Sequence, residues 1–195
     1  RLLEQKAPGS FQHSLQVMNM GETVARAVGV NPDFVRVGAL YHDIGKIANP
    51  QCFTENEAAG VKYHADLTPK ESAQEIIKHV SDGLMLAEKH GLPEVVKDFI
   101  RTHHGTTSTG YFLTKYLNDG GDPADISDFY YNGVKPVTKE QIILMICDAV
   151  EAASRSLKDY SQESISSLVE KIVAGKISED QFSESYISLN QINVV

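Results

Sequence analysis

The sequence predicts an all-α fold, and three observations lead to this prediction. Apolar residues recur at helical spacing over most of the chain, whereas alternating strand patterns followed by hairpin turns are nearly absent. Glycines follow the periodic segments, as left-handed helix C-caps do. Helix-start signals, either a capping box or an N-cap followed by proline, recur between them. The clearest are Asn31-Pro32, Thr68-Pro69-Lys70-Glu71 and Thr138 with Gln141.

Eight helices follow from these signals, each with a start or a stop that defines it. In order they are 11–28, ending before Gly29; 32–44, from Asn31 to Gly45; 69–80, from the Thr68 capping box; 83–90, before Gly91; 93–104, from Pro93 to Gly105; 139–157, from the Thr138 capping box; 162–174, before Gly175; and 179–189, from the capping-box spacing of Ser178 and Gln181. The stretches 46–67 and 106–137 are predicted to be long loops, and loops of this length are usually functional or disordered.

Composition limits the class of protein. The 195 residues, without repeats or an obvious linker, predict a single domain spanning 1–195, and a start at Arg1 suggests a piece of a longer protein. A net charge of −8 argues against binding to a nucleic-acid polymer. Cys52 and Cys147 are expected to be buried thiols in a reducing compartment. The longest apolar run, 142–146, is too short to cross a membrane.

Histidines and aspartates are expected on the inward faces and at the ends of these helices. His13 shares a helical face with Val17, Met20 and Val24. Helix 32–44 is expected to bury Phe34, Val37, Leu40, Tyr41 and Ile44 and to carry His42 and Asp43 in its last turn. His79 follows Ile76 by three residues, and the paired His103 and His104 end the helix that carries Val96, Phe99 and Ile100. Asp148 stands within the most apolar helix, where an isolated carboxylate is costly.

Taken singly, each of these residues has an ordinary structural explanation. A lone histidine on an apolar face is more often a hydrogen-bonded core residue, and Asp148 could form a buried salt bridge with Arg155. The joint pattern favours a metal site, since neutral imidazoles and carboxylates are metal ligands. Seven ligands are too many for one ion and suit two, provided that one carboxylate bridges them. Asp43, next to His42, is the expected bridge.

The same residues carry a family resemblance. The chain resembles the HD-domain metal-dependent phosphohydrolases of the subgroup named for "HDIG", and within it the cytosolic domain of the PgpH-type membrane proteins that hydrolyse cyclic di-AMP. The matching stretches cover nearly the whole chain. They are "APGSFQHS" at 7–14, "GALYHDIGK" at 38–46, "LTPKESA" at 67–73, "IIKHVSDG" around His79, "HHGTT" at 103–107, "DFYYNG" at 128–133, "DAVEAASRS" at 148–156 and "DQFSES" at 180–185.

The resemblance implies an HD-domain helical bundle with a dinuclear metal site in its core. It implies His13, His42, Asp43 and Asp148 as ligands of one ion, and Asp43, His79, His103 and His104 as ligands of the other, with iron or manganese as the metals. The implied substrate is cyclic di-AMP and the implied product a linear 5′-phosphorylated di-adenylate. The implied location is the cytoplasmic side of a bacterial inner membrane, anchored through a missing N-terminal region; the oligomeric state is left open.

In a dinuclear site of this kind, a hydroxide held between the two metals is expected to attack the phosphodiester, so no serine or cysteine nucleophile is needed. Asp43 and Lys46 are the predicted catalytic residues, with Lys46 as a phosphate clamp unless it is a solvated helix-end lysine. Arg155 is a second candidate cation, unless it only pairs with Glu151. His64 and Thr106 are further candidates for substrate contact, although Tyr63 stands where the family pattern predicts proline.

Aromatic residues of the 106–137 loop are candidates for base stacking, or else form a small core of that loop. They are Tyr111, Phe112, Tyr116, Phe129, Tyr130 and Tyr131, with Tyr130 as the chosen candidate. His90, next to Gly91, is expected to have only a helix-end role.

Three alternatives remain open at this point. A cyclic-di-GMP enzyme of the same superfamily would carry a Gly-Tyr-Pro sequence after the paired histidines, where this chain has Phe112 as the third residue. A mononuclear HD nucleotidase would leave His79, His103 and His104 unexplained. A non-catalytic nucleotide-binding module commonly lacks metal ligands, whereas this chain has all seven.

Overall fold

The computed structural model of the chain describes residues 1–192 and confirms the all-α prediction. Nine α-helices and five short 3₁₀ segments account for the regular structure of these residues. The α-helices are α1 (Leu2–Lys6), α2 (Pro8–Val28), α3 (Pro32–Tyr41), α4 (Pro69–Lys89), α5 (Glu94–Thr102), α6 (Gly110–Asn118), α7 (Lys139–Ser154), α8 (Gln162–Ser178) and α9 (Leu189–Ile192). Extended pairing within residues 1–192 is limited to one antiparallel bridge, between Ser108 and Tyr130.

Predicted side-chain caps explain where three of these helices begin. The Asn31 side chain accepts a hydrogen bond of 2.9 Å from the Asp33 backbone N–H at the start of α3. Thr68 and Thr138 form complete capping boxes at the starts of α4 and α7. Pro93 precedes α5 as its N-cap rather than lying in the first turn.

The glycine predictions are correct at three of five positions. Gly29, Gly91 and Gly105 have positive φ angles of 78°, 63° and 54°, which side chains with a Cβ rarely adopt. Gly175 lies inside α8, which continues to Ser178, so the prediction of a stop there was wrong. Gly45 does not have a positive φ either; its lack of a side chain serves close packing, described below.

The main core lies between α2, α3, α5 and α7. Its buried residues are Val17, Ala25, Val35, Ala39, Phe99, Ile143, Leu144 and Cys147. The predicted buried face of α3 was largely wrong, because Phe34, Val37 and Tyr41 are exposed and Leu40 is half-buried. The helix instead packs through small residues: a Cβ on Gly38 would lie 2.5 Å from the Phe99 ring. Close approach of the helices therefore decides which face is buried.

Two further parts of the helix prediction were wrong, for identifiable reasons. The predicted helices 69–80 and 83–90 form the single helix α4, because Gly83 is buried within it where Ile100 and the Gly45 backbone approach closely. The predicted helix 179–189 is not formed. Residues 179–185 make turns instead, since the Gln181 side chain is buried and hydrogen-bonds Thr106, and the Ser178 hydroxyl bonds Gly175 rather than capping a helix.

The two predicted loops contain short elements. Stretch 46–67 contains most of four 3₁₀ segments, which are Ile44–Ala48, Pro50–Cys52, Thr54–Asn56 and Tyr63–Asp66. Stretch 106–137 contains α6 and a fifth 3₁₀ segment, Pro123–Phe129. Both cysteines are buried free thiols, as expected. Among the described helices, none is both long and apolar enough to cross a bilayer.

Candidate metal centre

All seven predicted metal ligands lie together at one end of the core. Six are buried, and His104 is partly exposed. Their ligand atoms form two groups, in each of which all atoms lie within 4.8 Å of one another. The first group is Asp43, His79, His103 and His104, and the second is His13, His42 and Asp148. Apart from the shared Asp43, this is the division that the family resemblance implies.

The connection after α3 positions His42 and Asp43 in the site. α3 ends at Tyr41, so the prediction that it extends to residue 44 was wrong. His42 is its C-cap, and Asp43 has φ −103° and ψ 14°, a sparsely populated region in which many active-site residues lie. The chain then passes against α4 at Gly45, where a Cβ would lie 1.8 Å from the His79 carbonyl oxygen. Only glycine permits this approach, which places Asp43 beside His79.

Three buried imidazoles are oriented by their own backbone. The Nδ1–H groups of His42, His79 and His103 each donate to the carbonyl three residues earlier, at 2.8, 2.6 and 2.8 Å. Because a carbonyl can only accept, Nδ1 carries the proton in the neutral ring and Nε2 keeps its lone pair. All three Nε2 lone pairs therefore face the centre of the site.

This arrangement fits metal ions better than any internal hydrogen-bonding scheme. His79 Nε2 and His103 Nε2 are 3.1 Å apart, although both are bare lone pairs. His42 Nε2 is buried and has no hydrogen-bond partner, and the buried Asp43 Oδ2 is compensated only by its ion pair with Lys46. Unsatisfied buried acceptors cost free energy, and a cation between them removes that cost. The donor set, imidazole nitrogen with carboxylate oxygen, suits transition metals.

Asp43 lies between the two groups with one oxygen toward each. Its Oδ2 is 3.2 Å from His42 Nε2 and 3.6 Å from His13 Nε2. Its Oδ1 is 3.4 Å from His79 Nε2 and 3.7 Å from His103 Nε2. A carboxylate in this position can coordinate two ions at once.

Glu151 is a member of the site that the sequence reasoning assigned only as a partner of Arg155. Both ring nitrogens of His13 face a carboxylate, Nδ1 that of Glu151 and Nε2 that of Asp148 at 2.8 Å, so an Nδ1–H that donates to Glu151 leaves Nε2 available for an ion shared with Asp148. Arg155 pairs with the same Glu151 carboxylate. A carboxylate behind a ligating histidine fixes its tautomer and raises its basicity. The helical spacing of Asp148 and Glu151 could have indicated this role, since both lie on one face of α7.

The electrostatics of the site favour positive charge at its centre. Burial works against ionisation of Asp43, but His42 and Lys46 outweigh it and hold the pKa of Asp43 well below its usual range. Burial likewise opposes protonation of His42, yet Asp43 and Asp148 raise its pKa to about 10, so the two carboxylates stabilise a positive charge at its Nε2, whether a proton or a metal ion carries it. Burial and the neighbouring histidines lower the pKa of His103 to about 3, so this ring is neutral and available as a ligand.

A cleft of about 450 Å³ opens over the two groups. Lys46 and Arg155 both line it. Lys46 Nζ lies 2.8 Å from Asp43 Oδ2 and 2.8 Å from Glu55 Oε1, and the side chain is 12% exposed, so it is not a solvated helix-end lysine. Arg155 pairs with Glu151, as its structural explanation predicted, and its Nη1 is also 3.6 Å from Glu55 Oε2.

Glu55, in one of the 3₁₀ segments, was missed by sequence reasoning. It accepts a hydrogen bond of 2.9 Å from the Ser10 hydroxyl, which ties this segment to α2. Gly9 permits the contact, because a Cβ there would lie 1.9 Å from the Glu55 carbonyl oxygen. A glutamate in a loop without periodicity gives no signal from which this position could be predicted.

The remaining predicted residues lie outside this cleft. His64 donates from Nε2 to the Cys52 carbonyl at 2.8 Å and lines a neighbouring cavity with Tyr111 and Phe112. Thr106 hydrogen-bonds Gln181, and Tyr130, which is 38% exposed, pairs with Ser108; neither lines the cleft. His90 is the exposed C-cap of α4, away from both ligand groups, in agreement with its expected helix-end role.

Three other aromatic residues of the 106–137 loop have structural roles. Phe129 is fully buried and packs against Tyr116, with their ring centroids 4.9 Å apart, so these two form a small core. Tyr131 is buried and stacks on His104 with ring centroids 4.3 Å apart. Tyr131 therefore supports a predicted ligand rather than contacting solvent.

The family model described as "HD domain" matches residues 10–153. The chain belongs to the HD domain family. This match includes all seven residues of the two ligand groups, from His13 to Asp148. HD domains bind divalent metals, and the histidine and aspartate groups described above are consistent with that property.

Two curated relatives of this HD domain carry the name cyclic-di-AMP phosphodiesterase PgpH. The protein from Listeria monocytogenes is 37% identical over 97% of this chain, and that from Bacillus subtilis is 36% identical over 97%. The chain spans about a quarter of their length, 26% and 27%. The crystal structure of the L. monocytogenes PgpH HD domain in complex with cyclic-di-AMP superimposes with a TM-score of 0.95 at 36% identity, covering 99% of this chain and 90% of that one.

Proposed function

We propose that this HD domain is a metal-dependent phosphodiesterase that hydrolyses cyclic di-AMP to a linear di-adenylate with a 5′ phosphate. The observation that carries the proposal is the position of Asp43, with one carboxylate oxygen toward each of two groups of inward-facing imidazoles. The resemblance to two proteins named cyclic-di-AMP phosphodiesterase supports the choice of substrate. So does the likeness to an HD domain crystallised with cyclic-di-AMP.

The proposed ligands divide as the two geometric groups do, with Asp43 shared. His13, His42, Asp43 and Asp148 would hold one ion, and Asp43, His79, His103 and His104 the other. Iron or manganese would suit these nitrogen and oxygen donors. When bound, the two ions would supply Lewis-acid stabilisation of the phosphodiester and activation of the attacking water.

The protein's own residues would then orient the substrate. Lys46 is held rigidly between Asp43 and Glu55, so its ammonium lies at the wall of the cleft beside the ligand groups. A phosphate oxygen entering the cleft could accept a charge-assisted hydrogen bond from it. Arg155, fixed by Glu151, lies on the same wall. Glu151 would act indirectly by holding the His13 ring in its ligating tautomer.

A cavity beside the cleft would accept a base. It measures about 650 Å³, is lined by Tyr111, Phe112 and His64, and shares Thr54 and Glu55 with the cleft. The Tyr111 ring is 74% exposed and meets Phe112 at a centroid distance of 5.0 Å. Base stacking on aromatic side chains is favourable and tolerant of sequence. These two rings are better situated for stacking than Tyr130.

The alternatives fit this site less well. A mononuclear nucleotidase would leave His79 and His103 buried with their Nε2 atoms 3.1 Å apart and nothing between them. A binding module without activity would not need two sets of oriented ligands. We also propose that the domain belongs to a longer, membrane-anchored protein on its cytoplasmic side, since the named relatives are almost four times its length.

The reaction product tests the proposed function. One dinuclear centre can act on only one phosphodiester at a time, so early samples of a metal-replete reaction should contain linear di-adenylate as the main product. AMP should lag, because a second cleavage requires release and rebinding. The measurement is chromatography of quenched time points with iron or manganese supplied. AMP as the sole early product, or no turnover of cyclic di-AMP, would refute the proposal.

A further inference from the structure

Lys176, near the end of α8, lines the same cleft as the two ligand groups. It comes from a helix to which sequence reasoning assigned no functional residue. The cleft wall around it includes His103, His104 and Asp148, so the lysine and the proposed metal centre face one space. It is half-buried there rather than extended into solvent.

The ammonium group of Lys176 has no ion-pair partner among the described residues. Three cationic side chains line the cleft, and two of them are neutralised: Lys46 by Asp43 and Glu55, and Arg155 by Glu151. No salt bridge within residues 1–192 includes Lys176, and Glu179 and Asp148 act on it only as more distant charges. Burial lowers the pKa of its ammonium group, against smaller opposing effects of Glu179 and Asp148. A partly desolvated cation without a partner is a binding group for an anion.

The proposed substrate brings an anion that the metal centre cannot accommodate. A cyclic dinucleotide has two phosphodiesters, each with one negative charge, and a single dinuclear centre can hold only one of them. The protein has a net charge of −8, and Glu55 lines the cleft, so both repel the second phosphate. A cation that is separate from the metal centre and forms no ion pair within the protein would favour its binding.

We propose that Lys176 binds the second, non-reacting phosphate of the cyclic dinucleotide. This inference rests on the proposed function and extends it, because it assigns the feature by which the cleft distinguishes a dinucleotide from a substrate with one phosphate. Lys176 would contribute to substrate binding and not to bond cleavage, so its effect should be mainly on KM.

The test compares two substrates, cyclic di-AMP and bis(p-nitrophenyl) phosphate, which has a single phosphodiester. Lys176→Met should lower the ratio of kcat/KM for cyclic di-AMP to that for the single diester by about tenfold to a hundredfold, the value of a hydrogen bond to a charged group. Lys176→Arg should retain most of the ratio. Lys171→Met, an exposed lysine on the same helix, is the matched control and should leave the ratio unchanged.

The possible outcomes separate the inference from the proposed function. A ratio unaffected by Lys176→Met overturns the inference, and so does an equal loss on both substrates, which would indicate damage to the metal centre or to folding. If the unmodified protein hydrolyses the single diester but not cyclic di-AMP, the proposed function fails and the inference fails with it. A selective loss with the methionine variant, absent from Lys171→Met, supports both.

Discussion

Replacement of Asp43 by alanine is expected to reduce hydrolysis of cyclic di-AMP by about a thousandfold or more, because both proposed ions lose a shared ligand at once. The two carboxylate oxygens face different ligand groups, at 3.2 Å from His42 Nε2 and 3.4 Å from His79 Nε2. The substitution also leaves Lys46 without one of its two ion-pair partners. Steady-state kinetics on metal-reconstituted protein measures the loss.

His90→Ala is the control for this experiment. His90 is an exposed histidine at the end of α4 and belongs to neither ligand group. Its replacement should change activity less than twofold or so, as expected for a surface substitution. Both variants should keep the helical circular-dichroism signal, since the N-terminal caps of α3, α4 and α7 are untouched. Equal losses of activity in the two variants would contradict the assignment of the site.

Removal of metal is expected to abolish activity and to lower the melting temperature by about 10 to 20 °C. One ion held at a hundred times its dissociation constant stabilises the folded state by about 2.7 kcal/mol, so two ions contribute about 5 kcal/mol, and each kcal/mol shifts the midpoint of a domain of this size by about 2 to 4 °C. Without ions, the buried Nε2 atoms of His79 and His103 remain 3.1 Å apart and unsatisfied. Thermal unfolding before and after treatment with a chelator measures the shift.

The Asp43→Ala protein is the matched control for metal removal. With its bridging ligand gone, it should respond much less to the chelator than the unmodified protein does. Addition of iron or manganese should restore both the activity and the melting temperature of the unmodified protein, but not those of the variant. A melting temperature of the unmodified protein that is insensitive to the chelator would argue against a metal centre in the core.

Local signals predicted most of the fold, and tertiary packing decided the remainder. The capping boxes at Thr68 and Thr138 are local hydrogen-bond patterns and can be recognised in the sequence. The buried face of α3 cannot, because it depends on the fit between Gly38 and the Phe99 ring from another helix. Gly83 illustrates the same limit, since a glycine that would weaken an isolated helix is accommodated inside α4 by its close contact with Gly45.

Some residues of the candidate site could likewise be predicted from the sequence, and others could not. Its histidines and aspartates could be predicted because polar residues on apolar helical faces are unusual and need a partner. Glu55 and Lys176 could not, since their importance depends on distances across the fold. A loop glutamate and a helix-end lysine are ordinary surface residues until the packing of α2 and α8 brings them to the cleft. Glu151 lies between these cases, because its spacing from Asp148 places it on the same face of α7.

The metal content of the protein tests the central claim most directly. Elemental analysis after reconstitution with iron or manganese and removal of excess metal should approach two ions per chain, because the imidazoles form two groups joined by Asp43. The Asp43→Ala variant should retain fewer. A content that stays near one ion per chain in the unmodified protein would contradict the dinuclear assignment and favour a mononuclear nucleotidase.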